Sequence, residues 1–506
     1  MNATSQRIQR ISARDMIDAV LDPGSFESWD TPADYSYADS QYASQLAAAA
    51  AKSGHDESVI TGTGRIAGQQ VAVVLSVFDF LAGSIGNAAA DRIVAALHKA
   101  TALGLPVLAS PASGGTRMQE GTPAFVAMVR ICAAVRAHKQ ASLPYLVYLR
   151  DPTTGGAMAS WGTLGHITVA QPGALLGFLG PRVYETIYHE PFPSGVQQAE
   201  NLYAQGLIDA VLPVEQLAEI VRGILRILAP ATARSGQDPA DLLIDDSVDR
   251  ELDQDAVWRS VGHTRHPRRP GVRHVIKYAA SDALQLSGTG QGKHDARMYL
   301  GLARFDGQPC VLVAQDRDPC TAAPLGAAFL REARRGAELA SGLGLPLLTV
   351  IDTEGAALSK QAEEEGLAGQ IARSISALIG LETPSVSLLL GQGTGGGALA
   401  VLPADITLAA EHAWLCPLPP EGASAILYRD TEHAAELAHA QKVDAFALRR
   451  AGIVERIIAE PEPATRYPRH FAQRIGAALA GALADAAATP AAMRAPARAL
   501  KYASVR

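Results

Sequence analysis

The tetrapeptide TGGA at residues 154–157 recurs as TGGG at residues 394–397, 240 residues later in the chain. The same offset relates ALGLP at 102–106 to GLGLP at 342–346. Further matched pairs lie 239 or 240 residues apart: Pro144 and Pro384, Ile167 and Ile406, and GQ at 68–69 and 307–308. Similarity held in register over about a hundred residues predicts two copies of one domain.

Strand-like and helix-like segments alternate within each copy. In the first copy we predict strands at 71–77, 106–109, 145–149 and 167–169, and helices at 88–103 and 123–139. In the second copy we predict strands at 311–315, 347–351, 385–390 and 406–408, and helices at 327–343 and 367–380. This alternation is typical of layered α/β units with mostly parallel strands.

The two copies are predicted to be separate domains. The first is expected at residues 1–228 and the second at 271–506, joined by a linker at 229–270. The linker holds an acidic run at 245–255, and a basic cluster follows it. The members of that basic cluster are Arg265, His266, Arg268, Arg269 and Arg273. Such charge runs are typical of a solvated surface, so we expect a surface linker rather than a phosphate or nucleic-acid clamp.

The composition excludes several classes of protein. Of 506 residues, 48% are hydrophobic and 19% are charged, so the chain can bury more than one core. A net charge of −7 and an aromatic content of 5% argue against nucleic-acid binding. The four cysteines lie far apart and no zinc pattern occurs, so we expect reduced thiols and no metal. A polar N-terminus and the lack of an apolar span predict a soluble, cytoplasmic protein without a membrane partner.

Glycine-containing turns at strand ends are the candidate functional positions. They lie at 113–116 and 153–157 in the first copy, and at 353–356 and 394–398 in the second. Glycine lets a substrate approach the backbone closely, and a following helix exposes N–H groups that have no partner. Two such turns side by side can aim two N–H groups at one developing oxyanion. Because the pattern occurs in both copies, we favour this interpretation over turns that only bend the chain.

A dinucleotide-binding loop is the competing interpretation. The run GQGTGG at 391–396 follows a strand, and Glu411 lies 20 residues beyond its first glycine. Pro403, however, limits the following helix to about two turns, and residues 150–156 of the first copy lack the pattern. No phosphate loop of the GxxxxGK[ST] type and no GxSxG serine elbow occur.

Longer motifs around the glycine turns resemble a known family. The motifs of the first copy are SGGTRMQEG at 113–121, DPTTGG at 151–156 and PGALLGFLGPRV at 172–183. Those of the second are IDTEGA at 351–356, GGGALA at 395–400 and PEGASAIL at 420–427. The former are similar to β-type and the latter to α-type carboxyltransferase subunits of biotin-dependent acetyl-CoA and propionyl-CoA carboxylases. The chain resembles the fused form over about residues 12–460.

This resemblance implies a fold, an assembly and a reaction. The fold is α/β, with two tandem crotonase-like (ClpP/crotonase) ββα superhelix domains related by internal duplication. The active site lies between the first domain of one protomer and the second domain of another, in a homo-oligomer that is a dimer or a hexamer. CO₂ passes from N1-carboxybiotin to acetyl-CoA or propionyl-CoA, giving malonyl-CoA or methylmalonyl-CoA in fatty acid and lipid metabolism. Negative charge on the ureido and enolate oxygens requires aimed N–H donors rather than a side-chain acid or base.

The same resemblance assigns the residues of the two oxyanion holes. The first hole, for the acyl-CoA carbonyl, comprises Gly115, Thr116, Gly155 and Gly156. The second hole, for the biotin ureido oxygen, comprises Gly355, Ala356, Gly396, Gly397 and Ala398. Gly114, Arg117 and Gly395 are assigned to cofactor binding, with a structural ion pair as the alternative for Arg117.

Some features depart from the family pattern. The four-cysteine zinc ribbon of separate β subunits is missing, and Glu354 stands where many relatives carry proline, while Gly397 adds a third glycine. A carboxylate beside a ureido anion is unfavourable unless it points away or is paired. No Met-Lys dipeptide occurs, so biotin is expected on a biotin carboxyl carrier partner, loaded by a biotin carboxylase. A malonate decarboxylase-type enzyme and a catalytically silent scaffold of a carboxylase complex are the alternatives.

Overall fold

The structure is a computed structural model that describes residues 9–234, 241–245, 247–248, 250–317 and 325–505. The chain forms two compact units. One comprises residues 1–225 with 290–292, and the other comprises residues 226–289 with 293–506.

The first unit is built on a twisted sheet of seven strands. The strands of this unit in chain order are β1 (Glu27–Ser28), β2 (Val59–Ile66), β3 (Gln69–Ser76), β4 (Val107–Ser110), β5 (Tyr145–Leu149), β6 (Thr153–Thr154), β7 (Ile167–Ala170), β8 (Leu176–Gly177) and β9 (Ala210–Val211). The sheet order is β1-β2-β3-β4-β5-β7-β9, and β6 pairs with β8 separately. Pairs from β3 to β9 are parallel, whereas β1, β2 and β3 pair antiparallel.

The second unit repeats this topology. Its strands are β10 (Ala280–Leu286), β11 (Met298–Phe305), β12 (Gln308–Gln315), β13 (Leu347–Thr353), β14 (Ser385–Thr394), β15 (Ile406–Ala410), β16 (Trp414–Cys416) and β17 (Arg456–Ile458). The order β10-β11-β12-β13-β14-β15-β17 matches the first sheet strand for strand, with β16 paired to β14. Val107 pairs with Tyr145 and Leu347 with Ser385, so even the register recurs at the 240-residue offset. The predicted duplication and the mostly parallel strands are confirmed.

Helices cover both sheets. In the first unit they are α1 (Ala13–Val20), α2 (Ser40–Ser53), α3 (Asn87–Ala102), α4 (Gly121–Gln140), α5 (Gly155–Met158), α6 (Pro181–Tyr188), α7 (Ala199–Ala204) and α8 (Val214–Leu228), within which the boundary falls. In the second they are α9 (Gln254–Arg265), α10 (Val272–Ala279), α11 (Ala327–Leu343), α12 (Lys360–Glu364), α13 (Leu367–Ile379), α14 (Gly395–Leu399), α15 (Pro420–Leu427), α16 (Ala434–Ala440), α17 (Ala445–Arg450), α18 (Pro468–Ala488) and α19 (Ala491–Ala503). The buried faces of α3 and α11 carry Ala, Ile and Leu at helical spacing, which explains why each packs on its sheet.

The predicted surface linker at 229–270 needs correction. This stretch belongs to the second unit, where α9 buries Val257 and Val261. Arg269 of the basic cluster is buried and pairs with Glu460 at 2.7 Å, so part of this cluster is structural rather than solvated. Its neighbour Arg268 is exposed, as the charge run predicted.

No single helix in the described ranges is both long and apolar enough to cross a bilayer. The consecutive helices α18 and α19 meet that criterion only together, across a bend of 114°.

Candidate active site

The two glycine turns of the first unit meet backbone to backbone. Gly115 has φ +114° and Gly155 has φ +59°, values that side-chain-bearing residues rarely adopt. A Cβ atom on Gly155 would lie 3.0 Å from the Gly115 Cα, and one on Gly115 would lie 3.5 Å from the Gly156 nitrogen. Both turns therefore require glycine, and the structure brings the predicted residues together.

Internal hydrogen bonds narrow the set of amides that could hold an oxyanion in this unit. Gly114 donates to the Ala82 carbonyl at 2.9 Å, and Gly155 donates to the Phe178 carbonyl at 3.0 Å. Gly115 donates to the Ser113 hydroxyl at 3.0 Å. For the N–H groups of Thr116 and Gly156, no acceptor is present among the residues that the structure describes. These two amides are the candidate donors.

Arg117 is a correction to the predicted cofactor-binding set. Its side chain is fully buried, and all three of its guanidinium nitrogens donate to groups of the protein. Glu57, which is fully buried too, accepts from both terminal nitrogens, one of them at 3.0 Å. Tyr35 and Tyr42 lie at 3.3 Å from one of these nitrogens. Arg117 is thus a structural ion-pair partner directly after Thr116, as the alternative interpretation of its sequence position allowed.

A second support of the first hole could not be found in the sequence. Leu81 and Ala82 adopt φ values of +45° and +55°, and the Ala82 carbonyl in this strained loop holds the Gly114 amide. The acceptors are backbone carbonyls, whose positions depend on the fold and leave no mark in residue type.

The second unit brings its own two turns together. Gly355 has φ +126° and Gly395 has φ +65°, close to the values of Gly115 and Gly155. A Cβ atom on Gly397 would lie 3.4 Å from the Ala356 nitrogen. The third glycine, which departs from the family pattern, therefore leaves the space in front of the Ala356 amide open.

The free amides in the second unit differ slightly from those that we predicted. Gly355 donates to the Thr353 hydroxyl at 3.0 Å. Ala398 is the fourth residue of α14, where a helical N–H first meets the carbonyl four residues before it. Within the described ranges, no acceptor is present for Ala356, Gly396 or Gly397. The candidate donors are therefore these three amides, and Ala398 supports the turn instead.

Glu354 does not obstruct the second hole through burial. Its side chain is exposed, as is Gly114 at the equivalent position of the first unit. An exposed carboxylate is hydrated and screened, so its effect on a charge in the turn is small.

The dinucleotide interpretation of residues 391–396 fails on packing. Gly391 and Gly393 lie inside β14, where Cβ atoms would come within 2.5 Å of Asp352 Oδ1 and 2.8 Å of the Trp414 carbonyl. Helix α14, which follows, has five residues. These glycines allow close strand packing and do not form a phosphate loop before a crossover helix.

The side chains behind the two pairs of turns carry opposite charges. Arg150, directly before the turn at 151–156, is fully buried and donates to the carbonyls of Ser76 and Ser110 at 2.7 and 2.8 Å. Burial lowers the pKa of its guanidinium to about 10. Asp352, directly before the turn at 353–356, is buried as well, and burial raises the pKa of its carboxyl above the ordinary value. Each of the two lies behind its turn and bonds to the protein, not in the open space at the glycines.

Across the described residues, no three His, Cys, Asp or Glu side chains are grouped as metal ligands would be. Cys132, Cys310 and Cys416 are free thiols, and Cys320 lies outside the described residues.

Comparisons with known proteins place this geometry in context. Residues 9–499 match the carboxyl transferase domain family. The probable biotin-dependent acyl-coenzyme A carboxylase beta3 subunit of Mycobacterium tuberculosis is 55% identical over 477 residues, or 94% of each chain. The acetyl-coenzyme A carboxylase carboxyl transferase subunits beta/alpha of Salinispora tropica is 34% identical over 90% of this chain and 84% of that one.

A solved structure shares the fold. Transcarboxylase 12S, described as a hexamer assembly with methylmalonyl-coenzyme A and methylmalonic acid bound, has a TM-score of 0.71 at 20% identity. The match covers 94% of this chain and 90% of that one. It confirms the predicted crotonase-like α/β fold class. The relatives favour the carboxylase interpretation over the decarboxylase and scaffold alternatives.

Proposed function

Because this chain belongs to the carboxyl transferase domain family, as the carboxyltransferase of a biotin-dependent acyl-CoA carboxylase, we propose that its two pairs of glycine turns are two oxyanion holes. The amides of Thr116 and Gly156 hold the enolate oxygen of the acyl-CoA thioester. The amides of Ala356, Gly396 and Gly397 hold the ureido oxygen of biotin. One observation carries the proposal: both units leave amides without an acceptor at equivalent turns, within the described residues.

The chemistry asks the chain for binding and electrostatics. Carboxybiotin brings the CO₂, and its ring nitrogen is the base for the α-proton. The chain's amides stabilise the negative oxygens that develop in both half-reactions, and they do so without reorganising. The turns also hold the acyl α-carbon and the ureido nitrogen in reacting geometry, which removes much of the entropic barrier.

We propose acetyl-CoA and propionyl-CoA as substrates, with malonyl-CoA and methylmalonyl-CoA as products that serve fatty acid and lipid metabolism. The names of the relatives support acyl-CoA and, for the Salinispora protein, acetyl-CoA. Transcarboxylase 12S binds methylmalonyl-CoA in its crystal, which supports the longer substrate.

Biotin comes from a partner in this proposal. The sequence has no Met-Lys dipeptide, which is the usual attachment site, so a biotin carboxyl carrier must deliver the carboxylated group. A biotin carboxylase must load that carrier.

We further propose a homo-oligomer in which two protomers complete each site, as a dimer or a hexamer. Large apolar side chains are exposed at positions that recur 240 residues apart: Met118 and Leu358, Phe178 and Leu418, Ile187 and Leu427, and Tyr188 and Tyr428. Clustered exposed apolar residues are typical of protein–protein contact surfaces. Their repetition supports a contact that uses the same face of each unit.

Reconstitution tests the proposal. The purified chain is mixed with a biotin carboxylase, a biotinylated carrier, ATP, labelled bicarbonate and a panel of short-chain acyl-CoAs. The proposal predicts labelled malonyl-CoA or methylmalonyl-CoA, and it is contradicted if no acyl-CoA acquires label. Release of CO₂ from a malonyl thioester without biotin would instead favour a decarboxylase.

A further inference from the structure

Gln315, the last residue of β12, joins the two turns of the second unit. Its side chain is 1% exposed. Its Oε1 accepts the N–H of Asp352 at 3.0 Å, and its Nε2 donates to the carbonyl of Gly397 at 2.8 Å. Asp352 begins the first turn and Gly397 lies in the second, so one carboxamide bonds to both turns.

The Gly397 carbonyl depends on this bond. Helix α14 is one turn long, and the N–H groups of Ala400 and Val401 close it on the carbonyls of Gly396 and Ala398. The Gly397 carbonyl between them is left for a partner outside the helix, which Gln315 supplies. A fixed carbonyl restricts rotation of the adjoining planar peptides, and these peptides carry the free N–H groups of the turn.

A third bond closes the ring. Asp352 Oδ1 accepts the N–H of Gln392 at 3.0 Å, and Gln392 lies in the strand that leads into α14. The chain of bonds therefore runs from one turn through Gln315 to the other turn and returns through β14 and Asp352. The spacing between the Ala356 amide and the α14 amides is set by this ring.

The first unit has no such ring. Ser76 ends the equivalent strand, and its buried hydroxyl has no hydrogen-bond partner among the described residues. Ala112 stands where the second unit has Asp352. The carbonyl of Ala157, equivalent to that of Gly397, accepts the N–H of Gly162 at 2.9 Å instead.

We infer that Gln315 is a positioning residue for the second oxyanion hole, holding the amides of the two turns at the spacing that the ureido oxygen requires. This inference rests on the proposed function, because that proposal assigns the second hole to biotin. Gln315 itself touches no reacting atom and acts through the Gly397 and Asp352 peptides.

Gln315→Glu is a nearly isosteric test with a readout in pH. The protonated carboxyl group of this variant would keep both bonds, one oxygen accepting from Asp352 N–H and the hydroxyl donating to the Gly397 carbonyl. The ionised carboxylate has no hydrogen to donate and repels that carbonyl. The charged groups bearing on this position are Asp352 on β13, Asp316 and Arg317 just after β12, and Arg269 and Arg297.

We expect kcat of Gln315→Glu to fall about tenfold or more at pH 8, since small misplacements at a reacting centre have effects of this size. Activity should recover as the pH falls toward 6, because burial favours the protonated carboxyl. The KM for acyl-CoA should stay unchanged, since the first unit holds that substrate. Gln315→Met, which can neither donate nor accept in this way, should lose activity equally at both pH values.

Gln308→Glu is the matched control. Gln308 begins the same strand, is also buried, and donates to the Thr232 carbonyl at 2.8 Å, away from both turns. Its pH profile per folded enzyme should follow that of the unaltered chain.

A Gln315→Glu profile parallel to the unaltered one, or the same pH-dependent loss in Gln308→Glu, would overturn the inference. If the glutamate variant does not fold, wild-type kcat in Gln315→Met overturns it. An unaltered chain that transfers no label to any acyl-CoA contradicts the proposed function itself, so the two failures are distinguishable.

Discussion

The two units hold almost the same backbone turns with different side chains. In the first unit, Gly115 and Gly155 are supported by the buried Arg117–Glu57 pair and by Arg150. The second unit has Ala357 at the position of Arg117 and Leu390 at that of Arg150. It relies instead on the Gln315 carboxamide.

This difference shows what the duplication preserved. The φ angles of Gly115 and Gly355 differ by 12°, as +114° and +126° show, and those of Gly155 and Gly395 are +59° and +65°. The supporting side chains have changed charge and type, yet the amides face open space in both units. Backbone geometry is therefore the common feature, and the supports are local solutions.

The largest expected effect concerns the buried charge of the first unit. Arg117→Met leaves Glu57 buried without its cation, so we expect the free energy of unfolding to fall by about 3–5 kcal/mol. Denaturant unfolding followed by circular dichroism measures this. The matched change in the second unit is Arg265→Met, because Arg265 pairs with Glu421 and both side chains are about a third exposed.

That second change should lower stability by less than about 1 kcal/mol. Equal losses in the two variants would contradict the claim that the first unit alone depends on buried charge at this point.

The next effect sharpens the comparison at the second hole. Gly397 has no positive φ, and an added Cβ would meet nothing closer than 3.4 Å, so Gly397→Val should fold. The side chain would stand in front of the Ala356 amide, and we expect turnover to fall by about 10²-fold or more. Label transfer from bicarbonate to acyl-CoA measures it.

Gly223→Val in α8 is the control, since no atom lies within 4 Å of its added Cβ. Unchanged turnover in Gly397→Val would remove this turn from the site.

Acid should separate the units by a smaller amount. His166 Nδ1 accepts the N–H of Tyr145 at 3.1 Å, and in the second unit Asp405, paired with Arg498, accepts the equivalent N–H of Ser385 at 2.8 Å. Burial lowers the pKa of His166 to about 3, whereas an unfolded histidine titrates near 6.5.

The stability that a neutral His166 contributes is present above pH 6.5 and is lost as the pH falls toward 3. Between pH 7 and pH 5 the loss is about 2 kcal/mol, at 1.36 kcal/mol per pH unit. Calorimetric melting at both pH values should show a smaller pH dependence for His166→Gln than for the unaltered chain. The same dependence in both would refute the assignment.

The smallest effect concerns Glu354, the exposed residue at the position of Gly114. Glu354→Gly makes the second turn resemble the first, and we expect turnover to change by less than about fivefold, equivalent to 1 kcal/mol. A tenfold gain would show that the carboxylate weakens the second hole after all.

The sequence predicted those parts of the fold that depend on local patterns. The strand at 145–149 and the helix at 327–343 have the predicted bounds, because apolar periodicity and flanking Gly and Pro determine them locally. Strands β2 and β11 escaped prediction, since their pairing with the next strand is a tertiary feature. Helix α9 was missed because its charged residues dominate the composition that surrounds its buried Val257 and Val261.

The site was predictable to the level of the turn but not of the atom. Glycine pairs mark where the backbone must bend, so the four turns could be located. Which amides are consumed depends on carbonyls far away in sequence, such as those of Ala82 and Phe178. Arg117 was assigned to cofactor binding because its charge is visible in the sequence and its buried partner Glu57 is 60 residues away.

The most direct measurement removes a single N–H group and nothing else. Replacing Ala356 by lactic acid turns its peptide N–H into an ester oxygen and keeps the methyl side chain. Lactic acid at Ala368 is the control, since that residue is exposed at the second position of α13. If backbone amides hold the oxyanion, label transfer falls about 10²- to 10³-fold at position 356 and is unchanged at 368. Equal activity in the two ester variants would contradict that account.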